Sequence, residues 1–207
     1  MIFDCDGVLV DTELISNTVL ARLLTEAGLP MTYEDCMRDF RGRSIQSVMA
    51  IADERFGRAW EFDVGERYYA EVEDVFRREL EPVPGVIAAL DRISLPSCVA
   101  SSGPHHKMAV TLRTTGLWER FEGRIFSATE VAAGKPAPDL FLHAAERMGF
   151  DPASTAVVED SLPGVQAAVA AGMRALAFTR HSESAELETA GGEPFGDMAD
   201  LPALLRA

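Results

Sequence analysis

The chain opens Met1-Ile2-Phe3-Asp4-Cys5-Asp6-Gly7-Val8-Leu9-Val10-Asp11-Thr12, an apolar stretch that holds two aspartates spaced i, i+2 and a glycine directly after them. Ile2-Phe3 reads as the end of a buried strand, and Asp4-Cys5-Asp6-Gly7 as its exit loop. A strand usually has ~5–6 residues, more than the three that precede Asp4 here. Carboxylates crowded into apolar surroundings repel each other and lose hydration. They either take up protons or bind a cation. Gly7 permits a close backbone approach or a positive φ, although a plain turn glycine fits equally.

Downstream, the pattern changes twice. Residues 13–27 predict a helix with Leu14, Val19, Leu20, Leu23 and Leu24 on one stripe, ended by Gly28-Leu29-Pro30. A short helix is expected over 32–39, where Thr32 and Asp35 have capping-box spacing. Ser44 is placed to cap a helix carrying Ile45, Val48, Met49 and Ile51, and residues 63–80 predict another helix. No strand is expected over 14–80. Glu81-Pro82-Val83-Pro84-Gly85 reads as a hinge, with Pro84 early in a helix over 84–92. Strands are then expected at 97–101, 124–127, 155–158 and 174–178. Helices separate them: one to about Thr115, one from Pro138 with Leu140, Phe141, Ala144, Ala145 and Met148 facing inward, and one over 163–170. Residues 182–194 read as acidic surface structure. Strands alternating with helices predict a parallel sheet covered on both faces. The fold class is therefore α/β, a Rossmann-like, mostly parallel sheet core (residues 1–12 and 82–207) with an inserted α-helical cap (residues 13–81).

Ligands in such sheets bind beyond the C-terminal strand ends. Three predicted strands end in polar groups: Asp4-Cys5-Asp6, Ser101-Ser102-Gly103 and Glu159-Asp160. Lys135 lies in the loop Ala133-Gly134-Lys135-Pro136-Ala137-Pro138. Four carboxylates with no His/Cys cluster suit an oxygen-ligand site for Mg²⁺. Lys135 would pair with the carboxylates or with a substrate phosphate. Ser101 either donates to phosphate or caps the following helix, and the amides around Gly7 and Ser102 suit an anion nest.

The 207 residues carry 33 acidic and 19 basic side chains, a net charge of −14, and 47% are hydrophobic. That balance argues against nucleic-acid or membrane-surface partners. No stretch has the length of a membrane span, and the three separated cysteines argue against a disulfide framework. We expect a cytoplasmic protein, a monomer or small homo-oligomer, whose partner is a small phosphorylated metabolite.

In order and on the expected elements, Asp4-Cys5-Asp6-Gly7-Val8-Leu9-Val10-Asp11-Thr12, Ser101, Lys135 in Gly-Lys-Pro-Ala-Pro, and Val-Val-Glu159-Asp160-Ser resemble the four motifs of the haloacid dehalogenase-like hydrolase superfamily, in its phosphatase and phosphomutase branch. The resemblance covers essentially the whole chain. It implies that Asp4 attacks phosphorus to form an aspartyl-phosphate, and that Asp6 serves as general acid and then base. Ser101 and Lys135 would hold the phosphoryl oxygens. Mg²⁺ would be bound by Asp4, the Asp6 main-chain oxygen and Asp160, and by Glu159 through water. Cys5 should point elsewhere. Dehalogenation is disfavoured by the presence of Asp6. A β-phosphoglucomutase-like activity is disfavoured by Ser16, where those mutases place a histidine. A module that binds a phosphometabolite without turning it over is the non-enzymatic alternative.

Substrate contacts are expected from Arg41, Gly42 and Arg43, whose guanidiniums would clamp a carboxylate or phosphate, and from Gly7, Ser102, Gly103 and Lys107. Tyr69-Ala70-Glu71-Val72, Ser102-Gly103-Pro104 with Lys107-Met108, and Phe141-Leu142-His143-Ala144-Ala145-Glu146 resemble the 6-phosphogluconate phosphatases of this branch. The substrate implied is a small phosphorylated sugar or sugar acid such as 6-phosphogluconate.

Overall fold

The computed structural model describes residues 1–40, 45–57 and 60–205. The chain separates into two compact units, Met1–Asp11 with Glu81–Ala207, and Thr12–Leu80.

The first unit is built on six strands: β1 (Ile2–Phe3), β2 (Cys98–Ser101), β3 (Ile125–Ser127), β4 (Ala156–Glu159), β5 (Arg174–Phe178) and β6 (Glu193–Phe195). They lie in the order β3-β2-β1-β4-β5-β6, and every pairing is parallel. The order reverses between β1 and its neighbours, which creates the switch-point crevice at the carboxyl ends of the central strands. Phe3 is in register with Val99 on one side and Val158 on the other, so Asp4 comes level with Ala100 and Glu159. The strands read as apolar runs because both faces are covered. Ile2, Cys98, Ala100, Val157, Ala175 and Ala177 pack with Leu140, Phe141, Ala144, Ala145, Val165 and Ala168 in one buried cluster.

The second unit is helical, with α1 (Thr12–Glu26), α2 (Tyr33–Phe40), α3 (Ile45–Phe56) and α4 (Val64–Glu79). No strand occurs in it among the described residues. The reciprocal cap before α2 is present: the Thr32 amide donates to Asp35 Oδ2 at 3.0 Å and the Asp35 amide to Thr32 Oγ1 at 3.1 Å. Asp63 caps α4 through the Glu66 amide. Leu14 is 57% exposed, against the expectation that it joins the buried stripe. At ~100° per residue it falls opposite the face formed by Val19, Leu20, Leu23 and Leu24. The proposed cap at Ser44 lies outside the described residues.

The rest of the first unit holds α5 (Val86–Asp91), α6 (His105–Thr114), α7 (Trp118–Phe121), α8 (Asp139–Met148), α9 (Leu162–Ala170), α10 (Ser184–Thr189) and α11 (Leu201–Leu204). Pro84 is not part of α5, which begins after the Pro84-Gly85 turn. Residues 182–194 are not merely surface structure. They contain α10, whose Leu187 is buried, and most of β6, whose Phe195 ring lies 5.2 Å from that of Phe178. The strand was obscured by Pro194, which a sheet tolerates at its edge. At the boundary with the second unit the two connecting segments pair. Val83 N–H donates to Leu9 O at 3.0 Å and Asp11 N–H to Glu81 O at 3.1 Å, around an antiparallel bridge between Val10 and Pro82. Among the described residues no helix is long and apolar enough to cross a membrane.

Candidate active site

Asp4 leaves β1 with its backbone still in the ladder, its N–H donating to Val158 O at 2.9 Å. Its side chain is buried beside Lys135, whose Nζ lies 2.5 Å from Asp4 Oδ1 and 2.7 Å from Glu159 Oε1. The Lys135 side chain is 5% exposed, and its ammonium also sits 4.9 Å from the centre of the Phe141 ring, a cation–π contact. Lys135 enters through a loop with a cis Lys135–Pro136 peptide. Lys135 thus pairs with both carboxylates at once.

Glu159 and Asp160 end β4. Glu159 accepts from Lys135 at one oxygen, and from the Ser161 amide (2.7 Å) and hydroxyl (2.8 Å) at the other. Both oxygens are engaged, so direct ligation of a cation would compete with three hydrogen bonds. One oxygen each of Asp4, Glu159 and Asp160 lies within 4.8 Å of the others, and all three residues are buried. Around this cluster Lys135 pairs with Asp4 and Glu159, and Lys107 with Asp6. An oxygen-only set of buried carboxylates fits a hard divalent cation.

The electrostatics follow from burial. Desolvation pushes the Asp4 carboxyl up to about 7, while the Lys135 charge pulls it down. Burial alone would lower Lys135, but Asp4 and Glu159 together hold it above its ordinary value. Asp4 therefore keeps a proton in the folded state over a window, from 3.8 to about 7, in which the unfolded chain has lost it. More protons bound in the native state mean that this contribution grows as pH falls through the window and vanishes above it. In chelator-treated protein, the melting temperature of wild type minus that of Asp4→Asn should rise by a few degrees between pH 7 and pH 5. A flat difference would mean that Asp4 is ionised throughout.

A second group of side chains adjoins the first through Asp4-Cys5-Asp6. Lys107 Nζ donates to Asp6 Oδ2 at 2.8 Å. Ser101 is buried and its Oγ accepts the Gly103 amide at 3.1 Å, which leaves its own proton to donate. Gly103 is buried and Ser102 is exposed on the same turn. Cys5 is buried with its Sγ 3.9 Å from Thr111 Oγ1, and burial raises its thiol well above the ordinary range. Two expected amide donors are already used, since Gly7 N–H donates to Val10 O at 2.8 Å and Gly103 N–H to Ser101. What glycine supplies at position 7 is conformation and room: φ is +80°, and a Cβ there would overlap the Asp160 carboxylate. Arg41, Gly42 and Arg43 lie outside the described residues.

Four supporting residues escaped the sequence reading. Ser161 holds Glu159 and also caps α9 through the Gly164 amide at 3.2 Å. A Cβ on Gly164 would overlap the Glu159 carboxylate. Ser182 donates to the Asp160 carbonyl, and Ser127 Oγ donates to Gly103 O at 2.8 Å. Only Ser161, directly after Glu159-Asp160 and three residues before a glycine, carried a local signal.

The fold and the site together define an α/β protein with a buried acidic cluster at its switch point that could hold a divalent cation. More particularly, the chain belongs to the haloacid dehalogenase-like hydrolases, whose family model matches residues 1–172. It is 31% identical over 206 residues to the 6-phosphogluconate phosphatase of Escherichia coli K12, covering 99% of this chain and 93% of that one. A haloacid dehalogenase-like protein of unknown function from Agrobacterium tumefaciens superimposes with a TM-score of 0.89 at 36% identity, over 99% of this chain and 96% of the other. A hydrolase of the same family from Deinococcus radiodurans, solved with bound phosphate and sodium, gives 0.82 at 28% identity, over 99% and 93%.

Proposed function

We propose that the protein is a Mg²⁺-dependent phosphatase that hydrolyses a small phosphorylated sugar or sugar acid through an aspartyl-phosphate. The observation that carries this reading is the buried Asp4–Lys135–Glu159 arrangement beside Asp160, with a second aspartate two residues along. An Asp4 oxygen attacks phosphorus as the bond to the substrate oxygen breaks, and Asp6 gives its proton to the departing alkoxide. Asp6 then takes a proton from water, which attacks the same phosphorus. The Asp4–phosphorus link breaks and inorganic phosphate leaves. Ser101 and Lys135 hold the phosphoryl oxygens as charge moves across them. Mg²⁺, held by Asp4, Asp160 and the Asp6 carbonyl, with Glu159 reached through water, would neutralise charge between nucleophile and phosphate. The similarity to a 6-phosphogluconate phosphatase supports a sugar acid, whose carboxylate suits the guanidiniums of Arg41 and Arg43.

The test is phosphate release from a panel of neutral and acidic sugar phosphates, with Mg²⁺ or a chelator, for wild type, Asp4→Asn and Arg43→Ala. Release should require both Mg²⁺ and Asp4, and Arg43→Ala should slow acidic substrates more than neutral ones. Isomerised sugar phosphate with little free phosphate would indicate a mutase, and binding without product would indicate a non-catalytic module. An equal effect of Arg43→Ala on both substrate types would remove the carboxylate clamp.

A further inference from the structure

The sequence places Lys107 in the first turn of α6, where a cation opposes the helix dipole and no acidic residue of that turn offsets it. A compensating charge comes from the exit loop of the adjacent strand β1. Lys107 Nζ lies 2.8 Å from Asp6 Oδ2, with the two side chains 31% and 24% exposed. The turn between Ser101 and α6 is fixed at both faces of Gly103, whose N–H donates to Ser101 Oγ and whose carbonyl accepts from Ser127 Oγ. A Cβ on Gly103 would come within ordinary contact of all three partners: Lys107 Cδ at 3.5 Å, Ser101 Oγ at 3.5 Å and Asp6 Oδ2 at 3.7 Å. The ammonium, the hydroxyl and the carboxylate therefore converge on one rigid turn, and that turn is carried by β2 and β3.

We propose that Lys107 is the positioning residue for Asp6. It fixes the Asp6 carboxylate relative to the Ser101 turn, so that the group that moves the proton and the group that holds the phosphoryl oxygen keep one geometry. The inference rests on the phosphatase reading above, and it gives Lys107 a task other than binding substrate phosphate. A positioning lysine acts on turnover through Asp6, whereas a phosphate ligand acts on substrate affinity, and kinetics separates the two.

The experiment is steady-state hydrolysis of para-nitrophenyl phosphate with saturating Mg²⁺ by wild type, Lys107→Met, Lys107→Arg, Asp6→Asn and the Asp6→Asn/Lys107→Met double variant. Lys107→Met should lower kcat roughly 10–100-fold, the range for one lost charge-assisted hydrogen bond, with KM within about twofold. Lys107→Arg should recover a large part of that loss. The double variant should be no slower than Asp6→Asn alone, because the proton-moving carboxylate that Lys107 positions is already gone. A raised KM with kcat intact, or a further loss on the Asp6→Asn background, overturns the inference while leaving the phosphatase reading in place. No turnover by wild type with this or any sugar phosphate overturns both. Lys107→Gln, which keeps a neutral donor, should lie between Met and Arg. Equal values for Gln and Met with normal melting temperatures, or equality of all three variants with wild type, would also overturn the inference.

Discussion

Lys135→Met should cost the protein both its stability and its turnover. The substitution removes an ammonium from between two buried carboxylates at 2.5 and 2.7 Å and leaves them facing each other without compensation. Breaking a buried pair from one side costs about 3–5 kcal/mol. In a chain of this length that is roughly a 10 °C fall in melting temperature. Turnover should fall at least ~100-fold, as when a preorganised donor to a developing charge is removed. The stability loss should shrink on acidification, because protonation of Asp4 then removes one of the two charges left facing each other. It should also shrink with millimolar Mg²⁺, which replaces part of the lost charge. A melting temperature depressed alike at pH 5 and pH 8, with or without Mg²⁺, would contradict this account.

Gly7→Ala should be nearly as damaging for a different reason. A side chain at φ +80° costs about 1–2 kcal/mol in any setting. Here the added methyl also overlaps the Asp160 carboxylate, so either the β1 exit loop or Asp160 must move. A displacement of about 1 Å in a reacting geometry costs on the order of 100-fold in rate. The Mg²⁺ concentration for half-maximal turnover should rise as Asp160 leaves its place. Gly149→Ala is the control: Gly149 also has a positive φ, of +67°, but nothing lies within 4 Å of a Cβ there. It should lose similar backbone stability and keep full activity. If both variants lose activity equally, strain rather than overlap is responsible.

Sheet and site were legible in the sequence to different depths. β2 and β4 announce themselves as apolar runs ending in polar residues, and β5 as an apolar run, because a doubly covered parallel strand has no solvent face to alternate with. β6 did not, since Glu193-Pro194-Phe195 has one buried side chain and a proline. Asp4, Asp6, Lys135, Glu159 and Asp160 could be read as one group because each sits at a strand end or in a loop on the same edge. The Lys135–Asp4–Glu159 arrangement is a contact between positions 24 to 131 residues apart. The serines at 127 and 182 act through single backbone carbonyls, a role that any serine in a loop could fill. Leu14 misleads because it is apolar and near the helix start, yet it lies on the face opposite the buried stripe and is exposed.

The paired segments at Leu9–Asp11 and Glu81–Val83 have a consequence for how such a chain can diversify. The helical unit departs and returns through neighbouring segments, so its two ends are already a hydrogen bond apart. The sheet needs only that those ends meet. The entropic cost of closing the excursion grows only as the logarithm of its length. An insert at this point can lengthen, shrink or be exchanged for an unrelated sequence without altering a single strand register. The motif-bearing strand ends and the insert are thus free to change on separate evolutionary clocks.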